Sequence, residues 1–292
     1  MPDLIFLTQT IVSGIGIGCV FGLIGIGYCV IYNASGIVNF AQGAFVMLGG
    51  MVTYVLSTRV GLSLLVSAII ATASVAVVGV VIERLVVRPL WRRNATAFVM
   101  ILATLAAQTV IEQTTLLTID DQPKTLPNFI NLPPLMIGKV AINYQLIAIA
   151  GASILLVALL ALFFARTRVG RAMRACSINR EAAALQGIPV SRMLGYAFAL
   201  SAGLGAIAGV LITPTQYTAF DVGVPFAISG FIAAIVGGFG KPGGAFIGGI
   251  LLGLAQSLAI MFFGSGLKNI AALSIMLIFI TIRPTGLFGK KE

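Results

Sequence analysis

Apolar runs of about 20 residues, broken by short polar intervals, recur along the whole chain, and each is long enough to cross a bilayer as a helix. The runs do not alternate polar and apolar over about ten residues, as the strands of a membrane barrel do. The pattern predicts an all-α, polytopic membrane protein. It forms a single transmembrane domain over residues 1–292, with about nine helical segments near 7–32, 39–58, 61–82, 95–118, 143–165, 193–213, 224–239, 243–263 and 267–283. Two polar intervals are long. Residues 119–142 hold Asp120, Asp121, Pro123, Pro127, Pro133 and Pro134, a proline density that prevents a helix. An external loop is expected there, either a structured surface for an extracytoplasmic partner or a plain connector. Residues 166–192 are rich in Arg and are expected to be a cytoplasmic surface segment.

Composition agrees with this reading. Hydrophobic residues make up 59% of the chain and charged residues 9%, against about 25% charged in soluble domains. The net charge of +10 does not mark a nucleic-acid binder, because the cations cluster between apolar spans. Such clusters orient membrane proteins with their basic loops inside. Arg84, Arg88, Arg92 and Arg93 form one cluster, and Arg166, Arg168, Arg171, Arg174, Arg180 and Arg192 the second. Arg283, Lys290 and Lys291 form a third. Placing these and Lys241 inside leaves Arg59, Lys124, Lys139 and Lys268 outside, a split of fourteen to four among the 18 basic residues. The C-terminus is then cytoplasmic and the N-terminus outside, although Asp3 is the only charge near that end. The first span has no Lys or Arg before it and is read as a retained segment. With no His in the chain, a His-based metal site or general base is ruled out. Cys19 and Cys29 lie about 15 Å apart along one helix, too far for a disulfide.

Three segments carry candidate chemistry. Arg180-Glu181-Ala182-Ala183, followed by Gly187, reads as a short helix exposed for docking. Ala is small and a strong helix former, Gly187 suits a left-handed cap, and Pro189 hinders continuation. Residues 33–43 hold Asn33, Ser35, Gly36, Asn39, Gln42 and Gly43 between two spans. They form either a helix broken inside the membrane, its free amides turned to a translocation path, or a cytoplasmic turn capped by Asn39. Gln108 and Glu112 share one face of the fourth span. An intramembrane carboxylate faces protein or water, so the pair either meets substrate or ties helices together. Gly14, Gly18 and Gly22 fall four apart, as do Gly205 with Gly209, Gly244 with Gly248 and Gly249 with Gly253. That spacing lets helices approach closely in lipid. Gly43-Ala44-Phe45 recurs as Gly244-Ala245-Phe246, consistent with parallel repeats. The glycines at 237–244 lack the Gly-Lys-Ser/Thr ending of a phosphate loop, so no nucleotide site is expected.

Gly36-Ile37-Val38-Asn39-Phe40-Ala41-Gln42-Gly43 with Met47-Leu48-Gly49 resembles the N-terminal signature of branched-chain amino acid permeases of bacterial ATP-binding-cassette importers. The Arg180–Gly187 segment, with Ala197-Phe198-Ala199-Leu200-Ser201-Ala202, resembles their coupling region. Gly237-Gly238-Phe239-Gly240 and Arg283-Pro284-Thr285-Gly286-Leu287-Phe288-Gly289 resemble their C-terminal signatures. The resemblance implies the shorter permease subunit of an importer in the bacterial inner membrane, which is not an enzyme. Its partners would be a second homologous permease, two ATPase subunits, an extracytoplasmic binding protein and membrane lipid. ATP and Mg would bind the partner subunits, with no cofactor in this chain. Members often carry His then Gly-Glu after the Asn-Phe-Ala, where this chain has Gln42, Gly43 and Ala44. Related systems carry urea, short amides and carboxylic acids. From other classes, an ion-coupled transporter would want several intramembrane acids, and an intramembrane enzyme would want clustered catalytic residues.

Overall fold

A computed structural model describes residues 4–130, 132–137, 140–283 and 285–289; Asp3, Lys139, Pro284, Lys290 and Lys291 lie outside it. Helix α1 (Leu4–Ser35) is the axis of the bundle. Its apolar character runs all round, and from Cys19 to Ile31 it is buried on every side, as expected of a helix wrapped by others. The stripe of Gly14, Gly18 and Gly22 faces α11 (Pro242–Phe263), whose Gly249 and Gly253 face back. A Cβ on Gly18 would lie 2.7 Å from the Ile250 Cα. The other glycine pairs work alike. Gly205 and Gly209 of α9 (Val190–Ile212) meet Phe45 and Val46 on α2 (Gln42–Tyr54). Gly244 and Gly248 meet Gly237 at the end of α10 (Gly223–Gly237).

Among the described residues seven helices, rather than nine, are long and apolar enough to cross a membrane. The shortfall lies in α2 and α10, of 13 and 15 residues. A span needs about 20 residues. Both short helices are mostly buried and begin against one another, with the Gly43 and Gly223 backbones in contact. The predicted runs 39–58 and 224–239 place both closely: α2 starts three residues late and passes into a π-helical stretch, Val55–Arg59, while α10 is simply too short to be counted as a span.

The remaining helices surround this centre. α3 (Leu64–Ile82) packs on α9 and runs through a π-helical stretch, Glu83–Val87, into α4 (Arg88–Arg92). α5 (Ala97–Thr118), α6 (Tyr144–Arg166) and α12 (Lys268–Ile282) keep much of their surface exposed. α7 (Arg168–Ile178) and α8 (Arg180–Leu185) leave the bundle at one end. The basic clusters gather at that end. Arg88 donates to the Ser191 carbonyl, the Arg180 guanidinium covers Gly36, and Asn33 Nδ2 donates to the Gly240 carbonyl.

The opposite end carries the long loop. There Arg59 donates to the Ile119 carbonyl. The described residues of 119–142 form no helix, as the prolines dictate. They make a small hairpin, β1 (Leu135–Ile137) with β2 (Val140–Ile142). The backbones of Lys124 and Thr218 exchange two hydrogen bonds of 2.8 Å, joining this loop to the connection before α10. Lys124 Nζ binds Asp120 at 2.6 Å and holds its carboxyl well below the usual carboxylate range.

Close backbone approach at Gly18 sets a test. Gly18→Val would force α1 and α11 apart, because backbone atoms cannot rotate away, and overpacking of this kind costs about 1–3 kcal/mol. Gly151→Ala, where nothing lies within 4 Å of the new Cβ, should be neutral or slightly stabilising. Thermal unfolding of the purified protein in detergent measures both; equal melting points would remove the packing role from Gly18.

Candidate coupling and translocation sites

The Arg-rich segment holds a short, capped helix. Asn179 breaks from α7 with extended backbone, and its Oδ1 accepts from the Ala182 amide at 3.0 Å, capping α8. Glu181 stands in the first turn, where a carboxylate complements the helix dipole. The rod ends after one and a half turns. Gly187 takes φ +78°, its amide bonds the Ala184 carbonyl, and the Ile188 amide bonds the Ala183 carbonyl. This left-handed closure suits glycine. Ala183 faces inward, while Glu181, Ala182 and Ala184 face out. Two large apolar side chains flank that outer surface, Ile178 at 82% exposure and Leu185 at 88%. Neither is explained by this chain alone.

The polar interval 33–43 is both a turn and a break. Gly36, at φ +70°, ends α1 by bonding its amide to the Tyr32 carbonyl. The chain then climbs through Ile37–Ala41 before helix resumes at Gln42. Gln42 touches Gly27, and from Ser35 back to Gly27 the helix rises about 12 Å. So α2 starts well inside the bundle. Gln42 is fully buried. Its Nε2 donates to the Ser201 carbonyl at 3.2 Å, and its Oε1 lies 2.7 Å from Ser201 Oγ, which is also 2.9 Å from the Gly27 carbonyl. One hydroxyl, one side-chain amide and two helix carbonyls thus bind α1, α2 and α9 together. Asn39 is different. Its Oδ1 accepts from the Ala41 amide, but its buried Nδ2 has no hydrogen-bond partner. It borders a void of about 10 Å³ with Ser35 and Thr104, about the size of one water. Ser35, Ile37 and Met100 also line an adjoining cavity of about 270 Å³ beside Trp91.

Gln108 and Glu112 meet each other, with Nε2 donating to Oε1 at 3.0 Å. They stand apart from Asn39 and Gln42, since Thr104, one turn before Gln108, is the α5 residue that bonds the Phe40 amide. The carboxylate of Asp221, beside the start of α10, is close enough to act on Glu112. Sequence reasoning passed over three members of these sites. Ser201 is a lone hydroxyl in apolar text. Thr104 looks like any helical threonine. Glu83 hides beside a basic cluster, yet it is fully buried and binds Arg88 twice, at 2.8 and 2.9 Å. The two are five residues apart, which the wider π-helical turn brings onto one face.

Residues 10–282 match the family described as branched-chain amino acid transport system / permease component. The chain is 31% identical to the high-affinity branched-chain amino acid transport system permease protein BraD of Pseudomonas aeruginosa, covering 100% of this chain and 99% of that protein. It is 28% identical to the corresponding permease protein LivH of Escherichia coli K12, covering 99% and 97%. A probable branched-chain amino acid transport permease protein LivH of Methanocaldococcus jannaschii is 29% identical, covering 91% and 88%. In fold, the chain resembles one in the structure of PsaBC from Streptococcus pneumoniae in complex with Fab, at a TM-score of 0.55 and 12% identity, covering 98% of this chain and 95% of that one.

The Glu83–Arg88 pair makes the sharpest test of the site's architecture. Glu83→Ala would leave the Arg88 guanidinium, only 23% exposed, without its carboxylate. Breaking a buried pair from one side costs roughly 3 kcal/mol or more. Replacing both, as Glu83→Ala with Arg88→Met, should recover most of that loss. A double-mutant cycle on thermal unfolding measures the coupling; additive losses would reduce the pair to two independent contacts.

Proposed function

The chain belongs to the family of branched-chain amino acid transport system permease components, and from that premise we propose that it is the shorter permease subunit of an ATP-driven importer for branched-chain or other small amino acids. It forms half of a translocation pathway with a second, homologous permease. Two ATPase subunits bind at the basic, cytoplasmic end and hold the ATP and Mg; this subunit makes no chemical bond. An extracytoplasmic binding protein delivers substrate at the loop end. The protein lies in the bacterial inner membrane, with the C-terminus cytoplasmic and the N-terminus outside.

The observation that carries this reading is α8, a capped alanine rod that packs on the bundle through Ala183 and leaves its outer face bare, with Ile178 and Leu185 exposed beside it. Arg180, Glu181, Ala182, Ala183 and Gly187 form the coupling element. Its motion reaches the membrane through two contacts. Ile188 ties the end of the rod to the start of α9, and the Arg180 guanidinium lies on Gly36 at the α1–α2 break. The pathway borders that break. Asn39 offers it an unpaired amide, and Gln42 holds the wall in place from behind. Gln108 and Glu112 belong to the same path nearer the loop end, where Glu112 meets a substrate ammonium. Ala44 stands where the family often has an acid, so α2 presents no carboxylate. This supports a second reading within the same family, an importer of urea, amides or carboxylic acids.

Two experiments test the proposal. In a Cys-free background, a cysteine at Asn128 should label from outside intact cells, and one at Asn179 only after permeabilisation. Outside labelling at Asn179 overturns the orientation and the coupling assignment together. Gly187→Val places a β-branched side chain in the left-handed region, at about 1–2 kcal/mol of local strain. Nothing lies within 4 Å to clash, so folding and insertion should survive while ATPase association and transport fall sharply. Glu181→Ala should be milder, losing roughly 0.3–1 kcal/mol of dipole interaction. Co-purification of the ATPase subunits and substrate-stimulated ATP hydrolysis in vesicles measure both; wild-type values for Gly187→Val would defeat the coupling role.

A further inference from the structure

Between α3 and α9, at the basic end, lies a cavity of about 410 Å³ lined by Val80, Arg84, Arg88, Arg192, Gly195 and Tyr196. Its charge is unbalanced. Arg88 is neutralised by Glu83 and fixed by the Ser191 carbonyl. Arg84 and Arg192 are exposed, and among the described residues neither has a carboxylate partner. Gly195 keeps the floor open. A Cβ there would approach only the Glu83 and Arg88 side chains, at 3.5 and 3.7 Å. The chemistry that fits is a singly charged oxyanion, held by guanidinium groups whose planar forks match phosphate.

We propose that this cavity binds the phosphodiester headgroup of an anionic glycerophospholipid. Three observations favour lipid over free phosphate. From Leu64 to Arg84 the helix rises about 30 Å, one hydrocarbon thickness, so the cations stand at headgroup level. The wall above them is apolar, with Val80 in the cavity and Val77 and Val81 facing outward at 62% and 44% exposure. Tyr196, half exposed, offers a hydroxyl at the height where aromatic residues prefer the interface. Basic pockets between membrane helices recognise headgroups in this way. The Glu83–Arg88 pair then acts as a built support, holding one guanidinium at the back of the site while Arg84 and Arg192 supply the attraction.

The test uses the purified importer complex in nanodiscs of phosphatidylglycerol and phosphatidylcholine, with a photoactivatable phosphatidylglycerol carrying its reactive group on the headgroup. The wild type should be labelled within residues 80–88 or 192–196. Arg84→Gln with Arg192→Gln should lower that labelling roughly thirtyfold, the effect of two cations near an anionic leaflet. Gly195→Leu, which leaves every charge in place but fills the cavity, should lower it as well. Excess phosphatidylglycerol should compete, and millimolar inorganic phosphate should not. Undiminished labelling in either variant overturns the site. Equal competition by inorganic phosphate overturns the lipid assignment.

Discussion

The close approach of helix backbones through glycine is the constraint on which the rest depends. In lipid there is no hydrophobic drive to press apolar helices together, so contact must come from packing at short range. α1 meets α11 over two facing glycine stripes, and α9 meets α2 over a third. These contacts fix α1 so firmly at the centre that both short helices can hang inside the bundle. Neither α2 nor α10 is long enough to be anchored at two membrane surfaces. Each is held by neighbours along its length.

That arrangement explains where the polar groups lie. A helix that starts inside a bundle leaves its first amides and the preceding loop away from water. The protein meets that demand locally. Asn39 folds back on the Ala41 amide, Thr104 takes the Phe40 amide, and Gln42 ties into Ser201. The Asn39 Nδ2 is the group left over. A fully satisfied break would be a rigid wall. One with an unpaired donor beside a small void keeps room for a single water.

Much of this was legible in the sequence, and the failures share a cause. The class, the glycine faces and the capped rod at 180–187 all follow from local patterns. Gly187 and Pro189 announce an ending regardless of what surrounds them. The status of α2 and α10 as short inner helices does not, because an apolar run near 39–58 or 224–239 reads as a span whether it crosses the membrane or starts inside the bundle. The role of Ser201 depends on Gln42, 159 positions away. Glu83 was invisible for a different reason. Its pairing with Arg88 needs a π-helical turn, and a reading at 3.6 residues per turn places the two on different faces.

The bridge between Lys124 and Thr218 is made entirely of main-chain groups. Its geometry therefore does not depend on which side chains occupy those positions, provided neither becomes proline. The loops on either side can change their surface residues while this backbone joint stays constant. Surface chemistry and chain connection are thus separable at this end of the protein, and the first can diverge between relatives without disturbing the second.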